Sequence, residues 1–284
     1  MPVFQPDNIT DAVVDRFGAA PDLRLREIMT SLVRHAHAWV REIEPTMEEW
    51  MQAIEFLTRV GQISVGGRQE FILLSDTLGI STLVDGIAHR GTLGATQSTI
   101  LGPFYRDDQP VLAQGSDIAQ ASPGMPLYVD VRFSSGGSAL AKAIVDVWQS
   151  DSEGFYDVQR SELGSRMRGR FETDSDGGLR FWTIMPTAYP IPDDGPVGEM
   201  LKATNRHPWR PAHLHFMAVA PGCEPLVTHI FVAGDEYLAS DAVFGVKPSL
   251  INDFPPGSGP VPPGRQVDGA WRRLNYHFCL APKR

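Results

Sequence analysis

The spacing of apolar residues changes character about a third of the way along the chain. From residue 8 to about residue 90 they recur at helical intervals. A first helix is predicted through DAVVDRF, capped by Asn8 or Thr10. Leu25, Ile28, Met29, Leu32, Val33, Ala36 and Val40 then mark one face of a second. A further segment places Pro45 just inside a helix start, with Thr46 ahead of Glu48 and Glu49. It carries Trp50, Ile54, Leu57 and Val60, and Gly61 is its expected stop. Another helical stretch runs from Glu70 to Ile87.

Beyond about residue 100 the apolar runs shorten and fill with Val, Ile and aromatic residues. Leu127 to Phe133, Ala143 to Trp148, Gly178 to Ile184, His213 to Val219 and Leu226 to Val232 read as strands. Turn-forming clusters such as SSGG, DSDGG, PDDGP and APGCEP separate them. Short strands at this spacing predict an antiparallel sandwich. The expected fold class is therefore α+β, with a helical N-terminal region over residues 1–95 and a β-sandwich over 96–284.

Composition narrows the function. Lys and Arg number 25 against 34 Asp and Glu, a formal charge of −9, and no basic block overrides it locally. That sign repels phosphate backbones and argues against nucleic acid as a partner. Cys223 and Cys279 are the only cysteines, too few for a disulfide framework or a thiolate zinc site. The first residues carry neither a basic stretch nor a long apolar run, and no segment reaches the ~18–20 apolar residues of a membrane span. The expectation is a reduced, cytoplasmic protein.

The sharpest local signal is Arg210-Pro211-Ala212-His213-Leu214-His215-Phe216. Residues two apart on a strand share a face, so His213 and His215 project together, as a sheet offers two imidazoles to one metal. Two ordinary sheet histidines would show the same pattern. Tyr156 in GFYD and Tyr189 in PTAYPIP are each flanked by turn residues rather than set in a strand interior. Composition and spacing do not show whether they meet the histidines.

The order GFYD, PTAYPIPDDGP, HPWRPAHLHF, LVTHIFVAGDEYL, preceded by ILGPFYRDD, resembles the intradiol catechol dioxygenases. The likeness covers most of the chain, because that family's catechol branch also carries a helical N-terminal region. PTAYPIPDDGPVGEML and HPWRPAH are most similar to the hydroxyquinol 1,2-dioxygenase branch, and the chlorocatechol enzymes share part of this wording. The resemblance implies one Fe(III) per chain held by Tyr156, Tyr189, His213 and His215. Phenolate, a hard anionic donor, suits ferric iron, which then activates the organic substrate rather than O2.

The resemblance further implies catalytic roles for Tyr189, as a departing base, and for Arg210, as a cation beside the reacting carbon. Parity along the strand points Arg210 away from both histidines unless a bend at Pro211 re-aims it. The implied pocket wall is Leu73, Asp76, Ile100, Leu101, Gly102, Pro103, Phe104, Ile191, Pro192 and Val243. Asp76 would accept a hydrogen bond from an extra ring hydroxyl, or else is a helix-surface residue capping Thr77. His229 stands where some catechol dioxygenases carry Gln and would sit behind the ligands. His35, His37, His89, His207 and His277 lack a partner motif and read as structural or exposed.

The implied assembly is a homodimer through the helical region, with an amphipathic phospholipid at its interface. The implied reaction is cleavage of benzene-1,2,4-triol by O2 between its 1- and 2-hydroxyls, with catechol and chlorocatechols as alternative substrates. Two other classes stay open on the residues alone. His213, His215 and His229 would also serve a three-histidine zinc or Fe(II) β-barrel enzyme, and a transthyretin-like sandwich carrier would need no metal.

Overall fold

The computed structural model describes residues 5–66, 68–90, 94–120, 122–160 and 164–283. They divide into two compact units, residues 1–59 and 60–284.

The first unit contains helices α1 (Ile9–Phe17) and α2 (Leu23–Ile43) and most of α3 (Met47–Ile63). Asp22 caps α2 by accepting from the Arg24 and Leu25 amides at 2.8 and 3.1 Å. Asn8 holds the N-cap position of α1, but its side chain accepts from the Gln5 amide instead of capping. At α3 the start lies later than expected. Thr46 and Glu49 form a reciprocal capping box, which leaves Pro45 outside the helix. The helix also passes Gly61 and ends at Ile63, where the Ser64 hydroxyl donates to the Val60 carbonyl. A single glycine lowers helix propensity without forcing a stop. Leu25, Ile28, Leu32, Trp39, Val40, Trp50, Ile54 and Leu57 stand exposed along α2 and α3.

The second unit begins with α4 (Glu70–Thr77) and α5 (Ile80–Ala88). The predicted Glu70 to Ile87 stretch is thus two helices, broken where Gly79 takes the left-handed conformation at φ +72°. Two layers of strand follow. One sheet joins β1 (Pro126–Ser135), β2 (Ser138–Ala139), β5 (Gly178–Ile184) and β11 (Arg272–Cys279). The other runs β10 (Ile251–Asn252), β9 (Leu226–Val232), β8 (His213–Val219), β3 (Ile144–Trp148), β4 (Arg168–Glu172). A separate two-stranded ribbon pairs β6 (Tyr189–Pro190) with β7 (Trp209–Arg210), and α6 (Pro196–Ala203) lies between them in sequence.

Alternation along each strand sends one set of side chains into the space between the sheets. Val129, Val131, Phe133, Leu179, Phe181, Leu274 and Phe278 enter from one side, and Val145, Val147, Phe171, Leu214, Phe216, Ala218 and Ile230 from the other. Phe216 meets Phe278 at 4.8 Å and Phe171 stacks on Phe181 at 5.3 Å, so aromatic rings join the layers. All five predicted strands are present. The sandwich is mixed rather than antiparallel, because β1 pairs in parallel with β11 and β9 with β10. Hydrophobic alternation is blind to strand direction, and only the long return of the C-terminal segment permits the parallel pair. Among the described residues no single helix is long and apolar enough to cross a membrane.

Candidate metal centre

The site lies on the outer face of the five-stranded sheet, away from the sandwich core. Leu214, Phe216 and Ala218 of β8 point inward, so His213 and His215 point outward. Cross-strand register sets His215 opposite His229 on one side and opposite Trp148 on the other. The Trp148 indole lies flat on the His215 ring at 4.5 Å and 15°.

The tyrosines reach this face from loops. Tyr156 follows Gly154, whose φ of +88° an L side chain disfavours and whose added Cβ would stand 3.2 Å from Tyr189 Cβ. The glycine lets the two tyrosine segments pack against each other. Phe104 stacks on the Tyr156 ring at 4.3 Å. The neighbouring Asp157 carboxylate accepts from Arg168 on β4, with Nε at 2.6 Å, and both side chains are buried. Tyr189 stands opposite Arg210 in the β6–β7 ribbon.

Arg210 ends β7, and the chain breaks at Pro211, which has no amide hydrogen to continue a ladder. β8 resumes at His213 with a new phase. The bend that parity required is present, and Arg210 Nη1 lies 3.3 Å from Tyr189 Oη and 3.4 Å from His213 Nε2. Asp241 holds the guanidinium from behind, Nε to Oδ1 at 3.1 Å. The amides of Val243 and Gly245 in turn donate to Asp241.

The donor atoms converge. His213 Nε2 and His215 Nε2 are 3.1 Å apart, and Tyr156 Oη is 3.0 Å from His215 Nε2. The Tyr156 and Tyr189 ring centroids are 5.1 Å apart. All four side chains are buried. Burial, with Arg210 nearby, pushes the His213 and His215 imidazoles well below their usual range, so both are neutral and free to donate a lone pair. Burial likewise pushes the Tyr156 phenol well above its usual range, and the adjacent Tyr189 hydroxyl adds to this. Burial opposes the Arg210 charge, but Asp241 and the two tyrosines outweigh it and raise its pKa.

The chemistry of the donor set fits a metal here. The donor set is two imidazoles and two phenols packed against one another, the mixture a ferric ion uses when the phenols ionise. Burial holds the Tyr156 phenol protonated, and a cation at the donors is what would favour its phenolate. His213 Nδ1 lies 2.6 Å from the Pro211 carbonyl, the outer hydrogen bond that orients a ligating ring.

A cleft of about 770 Å3 lies beside the site, between the start of α4, residues 103–106, the GFYD turn and the loop after Tyr189; Phe104, which stacks on Tyr156, is the wall it shares with the donors. Leu73, Pro103, Phe104, Ile191 and Pro192 are among the residues that line it. The other expected wall residues are not part of its lining. Asp76 is buried on the Leu73 face of α4, and Val243 backs Asp241. Ile100 is buried near His229, Gly102 faces the His215 ring, and Leu101 turns partly to solvent. Burial raises the Asp76 carboxyl, opposed by hydrogen bonding to Ser81 and by Arg210. Helix α4 is tied down at both ends. Glu70 Oε1 accepts from the Val197 amide, and Arg206 donates to the Thr77 carbonyl.

Asp241, Trp148 and the Arg168–Asp157 pair are parts of the site that no motif in the sequence marks as such. Asp157 stands in GFYD, beside Tyr156, and carried the only available signal.

Residues 22–96 match the family model for the catechol dioxygenase N terminus, and residues 100–260 match the model for the dioxygenase domain. The chain belongs to the intradiol ring-cleavage dioxygenase family, and it is an oxidoreductase. It is 48% identical over 284 residues to the 6-chlorohydroxyquinol 1,2-dioxygenase of Cupriavidus pinatubonensis, covering 99% of each chain. It is also 48% identical over 281 residues to the hydroxyquinol 1,2-dioxygenase of Rhodococcus opacus, covering 97% and 93%. Among solved structures, that of a hydroxyquinol 1,2-dioxygenase from Pseudomonas putida DLL-E4 superposes with a TM-score of 0.91 at 44% identity, covering 98% of this chain and 99% of that one.

Replacing Asp157 with Ala leaves Arg168 buried without its main partner. The expected loss is about 3–5 kcal/mol in denaturant unfolding. Replacing the pair together, Asp157→Leu with Arg168→Met, should cost much less. Equal losses in the two variants would show that the pair does not act as a unit.

Proposed function

We propose that this enzyme cleaves hydroxyquinol, benzene-1,2,4-triol, between its 1- and 2-hydroxyls, giving 3-hydroxy-cis,cis-muconate. Both atoms of O2 enter the product, the bond between the two hydroxylated carbons breaks, and two protons leave. The observation that carries the chemistry is the convergence of two phenols and two imidazoles beside a buried guanidinium. The substrate rests on the relatives named hydroxyquinol dioxygenases, 44–50% identical to this chain, and on Asp76.

Tyr156, Tyr189, His213 and His215 would hold one ferric ion. When bound, it supplies Lewis acidity that lowers the pKa of the diol and makes its ring reactive toward O2. Tyr189 Oη takes a diol proton, and Arg210, 3.3 Å away, stabilises negative charge developing on the ring. Leu73, Phe104, Ile191 and Pro192 exclude water from the cleft and fix the plane of the ring. The Asp76 carboxyl accepts from the third hydroxyl. Catechol and chlorocatechols, which lack that hydroxyl, leave the acceptor short of a partner at a cost of about 1–3 kcal/mol.

The chain acts as a cytoplasmic homodimer. The family models break between residues 96 and 100, which supports a functional division into an assembly region over 1–95 and a catalytic region over 96–284. Support for the dimer comes from the exposed apolar residues of α2 and α3, a face that a second copy covers, with a phospholipid in the seam. The two free cysteines fit a reducing compartment. Sedimentation at micromolar concentration should show a dimer, and a monomer would refute it. Extraction of the purified dimer should release phospholipid.

The substrate is tested by a panel of hydroxyquinol, catechol and 3,5-dichlorocatechol. Wild type should favour hydroxyquinol over catechol in kcat/KM by roughly ten- to hundredfold, the kinetic equivalent of that penalty. Asp76→Leu should narrow the gap. A wild-type preference for catechol would overturn the substrate, and an unchanged ratio in the variant would remove Asp76 from it.

A further inference from the structure

Three imidazoles, not two, meet on the outer face of the β8–β9 pair. The donor nitrogens of His213, His215 and His229 all lie within 4.8 Å of one another, and all three rings are buried. The His229 ring stacks on His213 at 4.6 Å and 19° and meets His215 edge-on at 4.1 Å and 74°. No side chain among the described residues hydrogen-bonds either His229 nitrogen, and the backbone at Ile100 is the polar neighbour of the ring. A buried imidazole left with a nitrogen unpaired is costly, and packing alone does not require one. The next outward residue of β9, Phe231, fills the adjoining space with an apolar ring.

We infer that this pocket has a second coordination mode, in which His213, His215 and His229 together take a divalent cation of the zinc or cobalt class. His213 and His215 Nε2 are 3.1 Å apart, a spacing that suits two donors each ~2.0–2.1 Å from a shared ion. With its donor nitrogen within 4.8 Å of the other two, His229 comes to the same ion by turning its ring. Three neutral imidazoles with one open position are a donor set that catalytic zinc sites use, and it needs no phenolate. Water fills the fourth position. The two modes share His213 and His215, so they exclude each other. A hard ferric ion draws on the phenols, whereas a divalent ion draws on the third imidazole. The consequence is competition for the metal-free protein, and His229 sets how well divalent ions compete. This inference does not rest on the ferric reading.

The test uses metal-free full-length protein titrated with Co2+, read by its visible d–d absorption and by calorimetry. Wild type should bind one Co2+ per chain with the intense bands of low coordination number. His229→Gln should weaken binding at least ~10-fold, as the loss of even an outer-shell partner does, while Tyr156→Phe leaves it little changed. His229→Phe, which repeats the apolar ring of the neighbouring Phe231, is the second variant should Gln unfold the pocket, with thermal unfolding as the control for both. Unchanged Co2+ affinity in either folded His229 variant overturns the inference, as does a loss in Tyr156→Phe equal to that in His229→Gln. Fe3+ loading of the same proteins keeps the readings apart. Wild type that takes Co2+ through His229 but never binds Fe3+ would refute the ferric site alone.

Discussion

The first half of strand β8, from His213 to Phe216, is buried on both faces, and the rest of the molecule is arranged around that constraint. The strand's inward residues, Leu214, Phe216 and Ala218, join the core that holds the two sheets together. Its outward residues, His213 and His215, are just as buried but polar. A polar face under cover is tolerated only when its atoms find partners. The loops that cross it therefore bring Tyr156, Tyr189 and Arg210, and leave the donor atoms facing one another. One strand sets the sandwich and the centre in a single register, so a slip that moved the histidines would also expose the core.

Two buried ion pairs hold those loops. Arg168–Asp157 ties the Tyr156 turn to β4, and Arg210–Asp241 ties the ribbon carrying Tyr189 to residues 241–245. Pairs of this kind add little net stability compared with apolar packing, but removing one partner is severe. Their value here is directional. Each fixes a guanidinium or a tyrosine in a site where displacement by an ångström would separate the donors.

Much of this was legible in the sequence because the governing patterns are local. Alternation located the five central strands, and the spacing of His213 and His215 put both on one face. The Pro211 bend was recognisable as the one route by which Arg210 could reach them. What escaped has physical causes. β4 reads RGRFE, because its outward arginines pair with Asp157 and Asp146 while Gly169 leaves room for Leu112 and Phe171. β11 reads RRLNYHFC, and Leu274 and Phe278 are the residues it buries fully. Strand direction leaves no mark on alternation, and Asp241 lies 31 residues from the arginine it holds, with no motif to join them.

The claim on which the functional reading depends is that the two tyrosines ligate ferric iron as phenolates. Visible absorption and resonance Raman spectra of the purified, iron-loaded protein test it most directly. One iron per chain should give a broad visible charge-transfer band in which tyrosine ring vibrations are enhanced, and Tyr156→Phe or Tyr189→Phe should bleach or shift it. A wild-type enzyme that is active and colourless, or a band that survives unchanged when both tyrosines are replaced, would contradict the assignment.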